Sequence, residues 1–263
     1  SALSFTGNYT NLTPYYALVP QSTDWNDAPT GLDGMLNFYH KTGKDGLLKC
    51  FLSYSHGNSS MNYPNPADVS NEIGLKLFDR NTYFNASYKD NLGEKLHLRA
   101  GLSISDDWQD YDISSDNLEE SVQVYQARYT LKWILGEDLS IRFGNEYWHK
   151  EYSQDYSMAS ASETFRTSFT EDFTSAFAEA DLRIGPRLAL RAGGRFEYSG
   201  LLNRVNIAPR ASMAFKTGKH SQVSIAYGTF YQTPEDEYLR FNTGLEYETA
   251  NHYIANYQYM NNK

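Results

Sequence analysis

Apolar and polar residues alternate one for one over long stretches of this chain. Only an extended strand with different surroundings on its two faces satisfies a period of two. In 94–105 (EKLHLRAGLSIS), Leu96, Leu98, Ala100, Leu102 and Ile104 alternate with His97, Arg99, Gly101, Ser103 and Ser105. The pattern returns in 123–135 (QVYQARYTLKWIL), 139–148 (LSIRFGNEYW) and 187–199 (RLALRAGGRFEYS). Shorter versions lie at 1–10, 31–40, 46–55, 80–89, 172–183, 207–216, 221–230 and 252–260. The sum is about twelve strands of about ten residues, and no stretch of comparable length has helical periodicity.

The connections decide what kind of sheet this is. Tight polar turns fall at 43–46 (GKDG), 90–93 (DNLG), 136–138 (GED), 185–187 (GPR) and 217–220 (TGKH), rich in turn-favouring residues. Between them lie longer connections at 11–30, 57–79, 106–120, 153–168 and 231–248, with a shorter one near 200–205. Short and long alternate, which in an up-and-down sheet puts every short turn at one end. That asymmetry, and strands longer than the 5 or 6 residues usual in a sandwich, favour a transmembrane β-barrel over a soluble β-sandwich.

Composition agrees. The chain has 22 tyrosines and 15% aromatic residues, low mean hydropathy and no run of eighteen apolar residues, so strands rather than a helix would cross any membrane. The apolar stripes end in aromatics, with Tyr54, Tyr147, Trp148, Phe196 and Tyr198 toward the long connections and Trp133 and Phe215 toward the short turns. A formal charge of −9 argues against nucleic acid as a partner. Cys50, the single cysteine, reads as an inert apolar strand residue.

Residues 207–260 resemble the barrel of TonB-dependent outer-membrane receptors, particularly the Bacteroidetes type. The likeness rests on Pro209-Arg210 early in one strand, YGTFYQTP (227–234) where the next strand enters a long loop, and LEYETANHY (245–253) leading into a last strand. The third element is looser, because the family usually shows Pro-Glu where this chain has Tyr247-Glu248. Upstream, residues 1–206 match only in pattern and turn chemistry. The resemblance implies an all-β, antiparallel barrel of twenty-two strands in the bacterial outer membrane, filled by a plug domain and driven by the TonB energising complex. With about twelve strands and an end reading YMNNK, residues 1–263 are expected to be one partial barrel segment, lacking the plug and the closing strands.

No phosphate loop, HExxH pair, nucleophile elbow or CxxC is present, so neither enzyme chemistry nor a cofactor is expected. The six histidines lack metal-ligand spacing, and no metal site is expected. Two loops are candidate ligand contacts. Residues 105–121 hold seven carboxylates around Trp108 and Tyr111, a composition that suits a cation or a sugar platform, or else a solvated loop bridged by divalent cations to lipopolysaccharide. Residues 231–241 offer Tyr231, Glu235, Asp236 and Tyr238 at what the resemblance makes the rim of a binding chamber.

Arg99, Arg128, Arg142, Arg191, Arg195 and Arg210 all fall on the polar face. Like charges on one wall are tolerable in a wet lumen, against an acidic partner such as the plug, or paired with acids such as Glu146 and Glu197. The expected function is therefore part of an active transporter for a scarce small-molecule ligand. Six hairpins of roughly 44 residues scale to a barrel near 480 residues, which leans toward a metal chelate or a cobalamin-type ligand. A passive porin or adhesin barrel, or a soluble carbohydrate-binding sandwich, would be the alternatives.

Overall fold

The computed structural model describes residues 1–65 and 68–260, with backbone alone at 69 and 70. Residues 261–263, the end of YMNNK, lie outside the described residues. The strands are β1 (Ala2–Asn11), β2 (Asp24–Thr42), β3 (Gly46–Asn65), β4 (Asp68–Asn91), β5 (Leu96–Ile113), β6 (Asp116–Ile134), β7 (Leu139–Met158), β8 (Glu163–Ile184), β9 (Leu188–Ser199), β10 (Arg204–Lys216), β11 (Ser221–Gln232) and β12 (Glu248–Tyr259). They form one antiparallel sheet in sequence order, so all five tight turns lie at the same end. Gly43, Gly93 and Gly185 in three of those turns have φ between 63° and 88°, a region most side chains disfavour.

Register carries the alternation from strand to strand. Phe5 sits opposite Leu36, Leu36 opposite Leu52, Leu52 opposite Phe84, Phe84 opposite Ile104 and Ile104 opposite Tyr125. A slip of one residue anywhere would put the next strand's apolar set on the wrong face. The outward face stays open, with Leu102 47% and Trp133 47% exposed, as lipid-facing residues must be. On β7 the outward apolar stretch runs from Leu139 to Tyr147, and nine tilted residues span ~23 Å, close to the ~25 Å apolar band of such barrels.

Three sequence expectations change. The connections 57–79, 106–120 and 153–168 are not loops for most of their length. They are continuations of the hairpins, so that β3 to β8 run to 18–24 residues. Beyond the outward aromatic row the apolar residues change sides: Leu75, Leu77, Tyr111, Leu118, Val122, Tyr152 and Phe169 lie on the inner face, while the outer face is mostly polar, and the backbone ladder continues. Pairs such as Tyr156 with Asp116 (2.8 Å) stitch it. Second, Trp148 faces the lumen, where it stacks on Phe173 with centroids 5.0 Å apart; it does not belong to the lipid-facing aromatic row. Third, two short helices occupy long connections, α1 (Thr13–Leu18) and α2 (Asp236–Leu239).

Among the described residues the buried apolar cluster lies at the rim. Tyr152, Phe169, Leu202 and Leu239 form it, with Val122, Leu201, Leu245 and Tyr247 packed around them. The 233–247 loop thus folds back over the inner wall of β6 to β9.

Candidate functional site

Strand alternation places all six sequence-predicted arginines on the concave face: Arg99 on β5, Arg128 on β6, Arg142 on β7, Arg191 and Arg195 on β9, and Arg210 on β10. They do not share one electrostatic situation. Arg142 reaches Glu179 at 3.4 Å, and Arg191 reaches Asp181 at 2.5 Å and Glu179 at 3.4 Å. Arg195 bridges Glu197 at 2.6 Å and Glu146 at 3.0 Å, the two acids the sequence singles out as partners. Arg210 lies over the Phe230 ring, 4.5 Å from its centroid.

Arg99 and Arg128 have no carboxylate within salt-bridge distance among the described residues, and neither do Lys89 and Lys132 on the same face. Lys89 stands directly opposite Arg99, so their like charges are side by side. Five of the arginines, all but Arg191, line a concave cavity of ≈ 1010 Å³. Its β4–β6 side is a set of uncompensated cations, and its β7–β9 side is paired.

The rim is built around Lys150. Its ammonium contacts Asp236 of α2 and lies 3.6 Å from Glu171, which has no exposed side-chain surface. Ser199 donates to Glu171 at 2.8 Å and accepts the Leu202 backbone N–H at 3.1 Å. Arg240 donates to Gln154 at 2.6 Å, and Tyr152 and Gln154 both donate to Glu120 at 2.8 and 2.9 Å. Burial, with the Glu120 carboxylate beside it, pushes the Tyr152 phenol up to about 12. These contacts fasten the 233–247 loop to a wall up to 86 residues away in sequence.

The predicted loop residues divide accordingly. Asp236 is engaged in the latch, Tyr231 stands edge-on to Tyr247 at 6.2 Å, and Glu235 and Tyr238 are exposed at the rim. Trp108 and Tyr111 do not form one platform, because residues 108 and 111 point to opposite faces of β5. Trp108 is outward, donating to Glu119 at 2.7 Å, with Phe78 edge-on at 5.4 Å and the Arg80 guanidinium 5.6 Å away. Tyr111 is inward and donates to Gln109 at 2.7 Å. Sequence reasoning misses Lys150, Glu171, Ser175 and Ser199. In a strand they read as ordinary polar-face residues, and only the incoming loop buries them.

No family model matches the chain, and no curated protein matches it. Solved structures do. The copper transporter OprC is similar over 99% of this chain and 47% of its own, at 12% identity and a TM-score of 0.73. The ferric enterobactin receptor PfeA from Pseudomonas aeruginosa is similar over 98% of this chain and 46% of its own, at 14% identity and a TM-score of 0.70. The alcaligin outer-membrane receptor FauA from Bordetella pertussis covers 78% of this chain with 36% of its own, at 13% identity and a TM-score of 0.59. The chain therefore spans less than half the length of each of these structures. At such identities the likeness is one of fold. Twelve consecutive up-and-down strands with an apolar outer face and a charged inner face have the fold of part of a TonB-dependent outer-membrane receptor barrel.

Proposed function

We propose that this chain forms part of the wall of an outer-membrane active transporter that takes up a scarce small-molecule nutrient, with a metal chelate or a cobalamin-type ligand as the favoured class. The observation that carries the reading is the division of the lumen wall into an unpaired cationic part on β4 to β6 and a paired part on β7 to β9 beneath the latched rim loop. Lys89, Arg99, Arg128 and Lys132 line this wall without carboxylate partners among the described residues, and a plug presenting carboxylates would neutralise them, whereas in a passive pore the same cations would select for anions. The plug, and through it the TonB complex, are the partners this reading requires. Rim residues Glu235 and Tyr238, with Tyr111 on the inner face of its hairpin, are the proposed ligand contacts. Trp108, on the outer face, is better suited to the lipopolysaccharide layer. The carboxylates of 105–121 disfavour a strongly anionic chelate.

The test is uptake by cells starved of iron, copper or cobalamin, with and without the gene, before and after a protonophore collapses the inner-membrane gradient. Saturable uptake that stops with the gradient supports the reading. Uptake that persists unchanged would establish a passive pore.

A further inference from the structure

Above the outward aromatic row the inner wall carries an apolar ribbon that runs across the strands. Leu77, Tyr111, Leu118, Tyr156 and Phe165 are successive cross-strand partners from β4 to β8, a width of about 19 Å. Met61, Leu75 and Ile113 form a second such row above it, on β3 to β5. Both rows share the inner side of the sheet with Arg99, so lipid does not cover them. Nor does the 233–247 loop. The apolar cluster under Leu239 reaches Tyr152, Phe169 and Val122, and the polar pair Glu120 and Gln154 separates it from the ribbon. Tyr111, Leu118 and Tyr156 are half-buried, and Phe165 is 53% exposed. A contiguous apolar strip facing water marks a binding surface.

The charge around the ribbon restricts what fits it. Over 57–63, 73–79, 107–113 and 116–122 the inner face of β3 to β6 has the carboxylates Asp79, Asp107, Asp116 and Glu120 and no Lys, Arg or His. Lys76 and Arg80 point outward, where Asp112 lies at 3.9 Å and Asp106 at 3.4 Å. The four inner carboxylates make no salt bridge among the described residues. Their contacts are with neutral donors, such as Asn81 to Asp107 at 2.5 Å and Tyr156 to Asp116 at 2.8 Å, which orient the carboxylates and supply no countercharge. The nearest inward cations on the rim, Lys150 and Arg240, are already engaged by Glu171, Asp236 and Gln154.

We propose that this ribbon is the capture surface of the transporter, and that what it captures is a cationic chelate with an apolar, ring-bearing organic face. That the ligand is a chelate rests on the function proposed above; its charge and its apolar face rest on this wall. The rings of Tyr111, Tyr156 and Phe165 stack on the ligand's frame, and the tyrosine faces and the four carboxylates favour positive charge beside them. An anionic chelate would meet four like charges at the rim before reaching any available cation.

The experiment uses the whole outer-membrane protein that carries this wall, purified in detergent, with equilibrium dialysis of three probes, each corrected for uptake by detergent alone. The first is the tris-phenanthroline complex of iron(II), a cation with aromatic faces. The second is its sulfonated analogue, with the same faces and net negative charge. The third is hexaamminecobalt(III), a cation without apolar surface. Saturable binding of the first is expected, about tenfold tighter than of either other probe. Tyr111→Ser and Leu118→Asn should each weaken it about tenfold, and outward Lys76→Gln should leave it unchanged. Asp79→Asn combined with Asp107→Asn should weaken it about threefold and strengthen binding of the sulfonated complex. Equal binding of the cationic and sulfonated complexes, binding of hexaamminecobalt as tight as that of the aromatic cation, or no effect of either apolar variant overturns the site. In a Cys50→Ser background, Leu118→Cys should react with a soluble maleimide and be protected by the first probe. A thiol unreactive without the probe would mean that another part of the barrel covers the ribbon, and overturns the proposal as well. None of these measurements needs a membrane gradient. A protein that binds the cationic complex yet takes it up independently of the gradient keeps this site and contradicts the active-transport reading.

Discussion

Adjacent side chains in this sheet meet different solvents, and single substitutions should report it. Leu98 faces outward within the lipid-facing stretch of β5, while Arg99 points into the lumen cavity without a carboxylate partner. Leu98→Arg is expected to destabilise the inserted barrel by about 2–4 kcal/mol, and Arg99→Leu to change it little, measured by denaturant titration in lipid vesicles. Above the aromatic row the outer face becomes titratable. Asp172 is held below its usual 3.8 by hydrogen bonds from Tyr147 at 2.6 Å and from His149 at 2.8 Å. The bond to Asp172, with Glu151 on the other ring nitrogen, raises His149 above 6.5. A raised histidine pKa means that the folded chain holds the proton more tightly, so that stabilisation is complete below pH ~6.5 and fades as pH climbs through the raised value. The lowered Asp172 pKa stabilises above ~3.8 and its share is lost as pH falls through the lowered value. Replacing His149→Gln should therefore lower the midpoint of unfolding at about pH 5.5 and much less at about pH 8.5, and an equal loss at both would show the pair to be inert. The two faces at residues 98 and 99 were legible in the sequence because strict alternation fixes them. Trp148 was legible too, since the parity of Leu139, Ile141, Phe143 and Tyr147 sends it inward; grouping it with its aromatic neighbour Tyr147 set that alternation aside.

Among the elements, the 233–247 loop is fastened by one apolar anchor and several charges. Leu239 is 1% exposed, in the cluster with Tyr152, Phe169 and Leu202. Leu239→Ala should cost about 2–5 kcal/mol of docking energy. Because the loop's anchors lie outside the strand ladder, that loss should appear as local opening, with the barrel's own midpoint retained. Limited proteolysis of the whole protein should then cut within 233–247 in the variant and spare the parent; equal resistance would mean the charged contacts suffice. The sequence marks this segment as a turn through Pro234 and its acidic neighbours, but nothing local announces its partners, Lys150 and Gln154, 86 residues away. The extended hairpins were hidden for a different reason. Pattern reading follows a strand by one continuous apolar face, and beyond the outward aromatic row in β3 to β8 the apolar residues pass to the inner face, as at Leu75, Leu77, Tyr111 and Tyr152, among many polar ones, so the outward stripe ends while backbone pairing persists.

For the whole molecule, closure is the property that separates a pore from a wall. Among the described residues β1 pairs only with β2 and β12 only with β11, so the sheet has two free edges of ten and twelve residues. Outward-facing Leu3, Phe5, Tyr253 and Tyr257 flank those edges and are 64–78% exposed. Unpaired strand edges in hydrocarbon are excluded on energetic grounds, because each orphaned N–H and C=O would lack any partner. Closing twelve strands on themselves would tighten the curvature of an inner face that carries long, partly paired Arg, Lys and Glu side chains, which suits a wider barrel with more strands. The 263 residues alone are therefore expected to assemble edge to edge into polydisperse detergent particles, and to give no stepwise conductance in planar bilayers. The whole protein should behave as one particle size. Discrete channels from residues 1–263, or amide cross-links joining β1 to β12 within one chain, would show that twelve strands close, and the passive-pore reading would replace that of a plugged transporter.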